Sequence, residues 1–308
     1  MTERVTLFEM GPRDGLQNEA TLIATADKIE LVDRLSRCGF SKIEVTSFVS
    51  PRWVPQLADA AEVMEGITRS AAVTYAALTP NMQGYERAMA ARADEIAVFG
   101  AASEGFSQNN INCSIAESIA RFEPVAAAAK EAGVRLRGSI SCALGCPYQG
   151  EVSVHAVVDV VRRLRELGCD EIDIADTIGV GTPTRVQEVM RAAAAEFSID
   201  RLSGHFHDTY GQALSNILAS LEVGIAIFHA SVAGLGGCPY AKGATGNVAT
   251  EDVLYMLHGM GLHTGIELDD VVRAGDFISQ AIGRANSSRV GRALLTKWAS
   301  QAGEATCA

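Results

Sequence analysis

The 308-residue sequence has no apolar run approaching the ~18–20 residues that a membrane-spanning helix needs. It also lacks an excess of positive charge. Against 37 Asp+Glu there are 26 Lys+Arg, a formal charge of −11, which argues against the broad basic surface by which nucleic acids or anionic membranes are bound. No long stretch is both polar and highly charged, so intrinsic disorder is not expected. The seven cysteines form no CxxC pair and no zinc-ribbon spacing. Reduced thiols and a cytoplasmic location are the corresponding expectation. Met1 to Thr6 carries neither the apolar core of a secretory signal nor an Arg/Ser-rich transit stretch, so no leader is expected before the fold. No Pro/Gly/Ser-rich linker divides the chain. What remains is a compact acidic chain of ordinary globular composition, 48% hydrophobic and 20% charged.

Strand-like and helical runs alternate along it. Short β-rich runs lie at 5–10, 42–47, 72–77, 95–99, 135–141, 171–175, 202–207 and 225–232. Amphipathic helical runs lie at 25–38, 55–66, 82–92, 116–132, 154–167, 183–197, 212–223 and 249–258. Pro183 suits a first helical turn, and Gly39, Gly133, Gly168 and Gly224 stand where helices end and strands begin. Eight strand–helix units predict a (β/α)8 TIM barrel over about residues 4–258. Residues from about 259 to 308 would form a C-terminal helical extension within one catalytic domain. An open doubly wound sheet is disfavoured, because the first βα turn reads Gly11-Pro12-Arg13-Asp14-Gly15 instead of a GxGxxG phosphate cradle.

Barrel enzymes place their chemistry at the C-terminal ends of the strands. There the seventh strand supplies His205 and His207, which share a face at i and i+2. Two neutral imidazoles side by side suit a divalent metal, although two solvated surface histidines would give the same pattern. The first strand supplies Arg13 and Asp14, either a cation and a hard ligand or a loop salt bridge in a tight turn. Glu44 lies inside an otherwise apolar second strand and needs a partner, either a cation such as Arg13 or the surroundings of a metal. Asp176 ends the sixth strand, as a site carboxylate or a helix cap. After the eighth strand, Gly234, Gly236 and Gly237 make a pliable loop leading to Cys238, which is either a proton-transfer thiol or an inert buried one. Asn247 offers a further oxygen. The mixed O/N set favours Mg²⁺ or Mn²⁺ over a sulfur-rich zinc site and also suits non-haem iron. Metal, arginine and a mobile acid/base together point to a carbanion or enolate formed by making or breaking a C–C bond.

The runs Phe8-Glu9-Met10-Gly11-Pro12-Arg13-Asp14-Gly15-Leu16-Gln17-Asn18-Glu19, 204–211 and 231–252 resemble the 3-hydroxy-3-methylglutaryl-CoA lyase family. That family is one branch of the metal-dependent lyase and synthase barrels that also contain isopropylmalate, homocitrate and citramalate synthases. The resemblance extends from about residue 5 to the last helices. HxH and RDG are shared across the superfamily, whereas Val232-Ala233-Gly234-Leu235-Gly236-Gly237-Cys238-Pro239-Tyr240 separates the lyases from the synthases.

The resemblance implies retro-Claisen cleavage of an acyl-CoA, 3-hydroxy-3-methylglutaryl-CoA, to acetyl-CoA and acetoacetate. By position it assigns Asp14, His205, His207 and Asn247 to the metal and Arg13 to the thioester enolate. Cys238 takes proton transfer, while Arg13, Gln17, Glu44 and Asp176 are substrate-binding. Arg13, Asp14, His205 and Cys238 would be the catalytic set. Met10 stands where many relatives carry Val, a mild swap. Gly283-Arg284-Ala285 departs from the family's CoA-contacting Asn and Lys, leaving Arg284 and Arg289 as the cations available there. Cys307 inherits no redox role. A lyase for citramalyl-CoA or isohexenylglutaryl-CoA is the alternative, a Claisen-type synthase comes third, and a barrel kept as a scaffold is the non-enzyme reading. A homodimer or higher homo-oligomer is expected, with neither nucleic acid nor membrane as partner.

Overall fold

The computed structural model of the chain describes residues 3–237 and 246–306. In order, the elements are β1 (Thr6–Glu9), α1 (Thr25–Arg37), β2 (Lys42–Ser47), α2 (Ala60–Gly66), β3 (Thr74–Leu78), α3 (Met82–Ala90), β4 (Glu95–Ala101) and α4 (Glu104–Ile111). There follow α5 (Ile115–Ala132), β5 (Arg135–Ser141), α6 (Val154–Leu167), β6 (Glu171–Asp176), α7 (Pro183–Ala194), β7 (Leu202–Phe206) and α8 (Ala213–Val223). The last four are β8 (Ile227–Ala230), α9 (Thr250–Gly259), α10 (Leu268–Ile282) and α11 (Arg289–Thr306). All eight strands are parallel and close in sequence order, β8 pairing with β1 through Phe8 opposite His229. The expected (β/α)8 barrel is the fold.

The helix ends follow local chemistry. Pro183 occupies the first turn of α7, and Gly133, Gly168 and Gly224 take left-handed conformations that close α5, α6 and α8. Ser114 and Glu117 form a reciprocal capping box at the start of α5. Helix α4 was not among the expected runs. It has a weak apolar stripe and is set off from α5 by left-handed Asn112, so periodicity alone does not reveal it.

Strand alternation divides the buried interior into two regions. Outward-facing Ile43, Val45, Ile96, Val98, Leu136, Ile172, Ile174, Leu202 and Phe228 join the helix faces in one large apolar cluster. Phe8, Met10 and Ala76 form a small separate one. Around Phe8 the barrel lumen is lined by charge: Lys42, Glu44, Glu95, Arg137, Glu171, Asp173 and His229 are all buried. The C-terminal helices are built against the barrel, α10 on α1 and on the turn after β8, and α11 on α9.

Candidate metal centre at the barrel mouth

The turn after β1 is a single helical turn, Gly11–Gly15, in which Arg13 N and Gly15 N both donate to Met10 O. Pro12 fits the start of the turn, where a backbone N–H would have no partner within it. The turn is clasped tightly, since a Cβ on Gly15 would lie 2.6 Å from Ser231 Oγ. Glu9, on the strand face opposite Phe8, accepts from Gly11 N (2.7 Å), Val232 N (2.9 Å) and Thr250 Oγ1 (2.7 Å), tying the loops after β1 and β8 together. Glu251 accepts from Ala233 N at 3.0 Å in the same seam. Burial pushes these carboxyls up, Glu9 to about 7 and Glu251 to about 8, because only amides and hydroxyls oppose it for Glu9, and for Glu251 nearby Glu9 adds to it.

Arg13 extends from this turn across the mouth, donating to Asp14 Oδ1 at 2.6 Å and to Glu44 Oε2 at 3.0 Å. Glu44 is fully buried, and its other oxygen lies 3.1 Å from Arg137. Glu44 is thus paired with two arginines, one of which also holds Asp14. Burial alone would lower the basicity of Arg137; Glu44, Asp173, Glu95 and Glu171 reverse that and fix its charge.

Beside Arg13, Asp14 Oδ2 lies 3.8 Å from His205 Nε2 and 3.9 Å from His207 Nε2. One atom from each of the three residues fits within a 4.8 Å cluster able to hold a metal ion. Burial pushes both imidazoles down to about 4 against the pull of Asp14, leaving them neutral with lone pairs to offer. Burial opposes ionisation of Asp14 too, but Arg13, then the two histidines and the Asn247 amide, hold its carboxyl well below the usual range. Asn247 reaches the cluster because its backbone is stitched onto the barrel rim: it bridges to His207, and Val248 N donates to Phe206 O. Its side-chain amide donates to Asp14 Oδ2 at 2.7 Å. The donor chemistry therefore fits a divalent cation: a charged carboxylate, two neutral imidazoles and an adjacent amide.

The other expected residues are placed less centrally. Asp176 is fully buried and accepts from Val180 N (3.0 Å) and Gly181 N (2.8 Å), shaping the loop before α7 instead of capping the helix, whose first turn follows Thr182. Burial outweighs these bonds and raises it to about 6. Gln17 is half-buried just past the Arg13 turn. Neighbouring Asn18 donates to Gly237 O at 2.9 Å, joining this turn to the loop after β8. Cys238 and Cys307 lie outside the described residues. Arg284 is engaged by Glu19 at 2.5 Å and donates to Gly234 O at 3.3 Å, while Arg289 N faces Asp252.

Sequence reasoning missed Glu9, Lys42, Arg137, Glu171, Asp173, His229 and Glu251. For most of them a signal existed. Polar residues recur at spacing two within strand runs, as in Lys42/Glu44, Arg135/Arg137/Ser139 and Glu171/Asp173, which marks a polar inner face.

These features define a class: a (β/α)8 barrel whose mouth combines a part-buried Arg–Asp pair with two imidazoles as a divalent-metal donor set. The family described as HMGL-like matches residues 4–278, and the chain belongs to that family. A Pseudomonas aeruginosa protein named 3-hydroxy-3-isohexenylglutaryl-CoA/hydroxy-methylglutaryl-CoA lyase is 57% identical over 297 residues, 96% of this chain and 99% of the relative. Mitochondrial hydroxymethylglutaryl-CoA lyase of Rattus norvegicus is 53% identical over 293 residues, 95% of this chain and 90% of the relative. The crystal structure of hydroxymethylglutaryl-CoA lyase from Pseudomonas aeruginosa matches with a TM-score of 0.95, covering 96% of this chain and 99% of that one.

Proposed function

We propose that this chain is a carbon–carbon lyase that cleaves 3-hydroxy-3-methylglutaryl-CoA to acetyl-CoA and acetoacetate with the help of Mg²⁺ or Mn²⁺. One observation carries the reading: in a chain of the HMGL-like family, Asp14, His205 and His207 converge beside a buried arginine at the barrel mouth. Asp14, His205, His207 and Asn247 would hold the metal. When bound, it supplies a Lewis acid for the substrate's tertiary hydroxyl and a carboxylate oxygen.

The chain's own groups account for the rest. Once the hydroxyl proton has passed to solvent water, the C2–C3 electron pair moves onto the thioester, giving the ketone of acetoacetate and the enolate of acetyl-CoA. Arg13, fixed by Asp14 and Glu44, meets the enolate oxygen as a pre-positioned cation that reorganises little during the reaction. Cys238, in the 232–240 run that carries the family resemblance, gives its thiol proton to the enolate carbon and regains one from the water that took the hydroxyl proton. Gln17 and Asp176 support the substrate from the loops after β1 and β6. Arg284 and Arg289 are the cations nearest in sequence to the expected CoA end.

A second reading is cleavage of a bulkier branched substrate, isohexenylglutaryl-CoA, and it is favoured by the double name of the Pseudomonas aeruginosa relative. Residence in a reducing, cytoplasmic compartment belongs to the same proposal, supported by five buried free cysteines. Steady-state turnover of 3-hydroxy-3-methylglutaryl-CoA, citramalyl-CoA and isohexenylglutaryl-CoA by purified protein tests it. Acetoacetate release from the first supports the proposal. No release with metal present overturns it, in favour of the second reading where isohexenylglutaryl-CoA is turned over instead, and of a citramalyl-CoA lyase where that substrate is. Cys238→Ala is expected to lose turnover yet bind metal normally, whereas His205→Ala binds metal far more weakly; equal metal affinity by titration calorimetry would contradict the His205 assignment.

A further inference from the structure

Beneath the mouth, His229 lies on β8 directly across the ladder from His205. It is 1% exposed, and its ring is fixed edge-on against Phe8, with centroids 5.0 Å apart, and against His205, 5.4 Å apart. The Nδ1 atoms of the two histidines are 3.2 Å apart. At that distance one nitrogen carries the proton and the other accepts it, so the pair has a direction.

Two arrangements are available. If His229 donates, His205 carries its proton on Nε2, which faces Asp14, and has no lone pair for a metal. If His205 donates, its Nε2 is bare and His229 must be protonated on Nε2. Each outer nitrogen faces a carboxylate: His229 Nε2 stands 3.9 Å from Glu171 Oε1, and His205 Nε2 3.8 Å from Asp14 Oδ2. Both carboxylates are engaged, Glu171 by Lys42 at 2.7 Å and Ser203 at 3.4 Å, Asp14 by Arg13 and Asn247. A metal at the mouth needs the Nε2 lone pair of His205, and only the second arrangement leaves it bare.

We infer that His229 is a positioning residue: it accepts the Nδ1–H of His205 and so keeps the Nε2 lone pair of His205 turned toward the mouth. The chain Lys42–Glu171–His229–His205 thus runs through the lumen from the lower strand ends to the candidate metal centre. Partners behind a ligating histidine fix its tautomer and ring orientation, and their loss commonly costs ~10–100-fold in metal affinity. The inference rests on the metal reading above, though its main readout requires neither substrate nor metal.

Long-range ¹H–¹⁵N spectra of metal-free protein labelled at histidine, with His205→Gln used to identify the His205 signals, report the tautomer directly. The expected result is a protonated Nδ1 and a bare Nε2 on His205; a proton on Nε2 overturns the inference. Mn²⁺ titration calorimetry provides the second arm. His229→Phe keeps a ring but removes the acceptor, and should weaken binding ~10–100-fold. His229→Asn places a carbonyl oxygen near the lost Nδ1 and should restore most of the affinity. Unchanged affinity in His229→Phe, or no rescue by His229→Asn, contradicts the inference. A wild type that binds no Mn²⁺ removes the metal reading, and the tautomer spectrum then still decides the His205–His229 bond. A wild type with the expected tautomer and Mn²⁺ affinity but no acyl-CoA cleavage refutes the proposed function alone.

Discussion

Glu171, buried in the lumen, and Glu9 and Glu251, buried outside the barrel wall, behave in opposite ways. Glu171 in the lumen is held well below the usual range: burial resists its ionisation, but His229 and Lys42 overcome that. Glu9 and Glu251, outside the barrel wall, are pushed up to about 7 and 8, because burial is opposed only by amide and hydroxyl donors. The difference lies in the partners, since all three are buried. Inside the barrel the His229 ring and the Lys42 cation together fix the charge of Glu171, beneath Arg13, Asp14 and His205. The outer carboxylates serve instead as hydrogen-bonded clasps between the loops after β1 and β8.

The comparison is broken most severely at Arg137. Arg137→Met would leave Asp173 buried without its cation and Glu44 with Arg13 alone, and should cost about 3–5 kcal/mol of stability, measured by denaturant unfolding. A loss within the range of a single apolar trim would mean that the lumen charges are not mutually dependent. Next comes Arg13→Gln, which spares the fold but removes the cation at the mouth. Its kcat should fall ~10²–10³-fold with Mn²⁺ affinity nearly unchanged. A rise in KM alone would assign Arg13 to binding.

The outer clasps sharpen the contrast through pH. Their folded-state values lie above the ordinary 4.5, so the stability they contribute is complete below that value and is lost as pH rises through about 7 and 8. Thermal unfolding should therefore weaken between pH 5 and 8.5, by up to about 1.4 kcal/mol per pH unit for each group. Glu251→Gln should flatten this slope; an identical slope would show that Glu251 does not titrate there. The smallest effect is expected in the apolar layer. Ile172→Val should cost about 0.5–1.5 kcal/mol with no change in metal affinity.

The two regions also differ in how far they could be read from the sequence. The apolar layer announces itself through alternation: helices end at glycines and show one apolar face, and eight repeats close a barrel. The RDG turn and the HxH pair were legible because strand-end position gives polar residues meaning. The lumen network was less so. Glu44 was flagged as needing a partner, yet Arg137, its second partner, lies 93 residues away in sequence, and only barrel closure brings them together. His229 resembled a lone histidine in an apolar run until the register placed it beside His205. Glu9 and Glu251 gave no local signal, since their role is to bind backbone amides of loops that meet only in three dimensions.

The central claim is that these buried charges set up a metal-dependent cleavage at the mouth. Acetoacetate release from 3-hydroxy-3-methylglutaryl-CoA, followed in chelator-stripped protein and again after adding Mg²⁺ or Mn²⁺, tests it most directly. The expected result is negligible release when stripped and recovery on adding either ion. Full turnover in the stripped protein, or none in the metal-loaded protein, would contradict it.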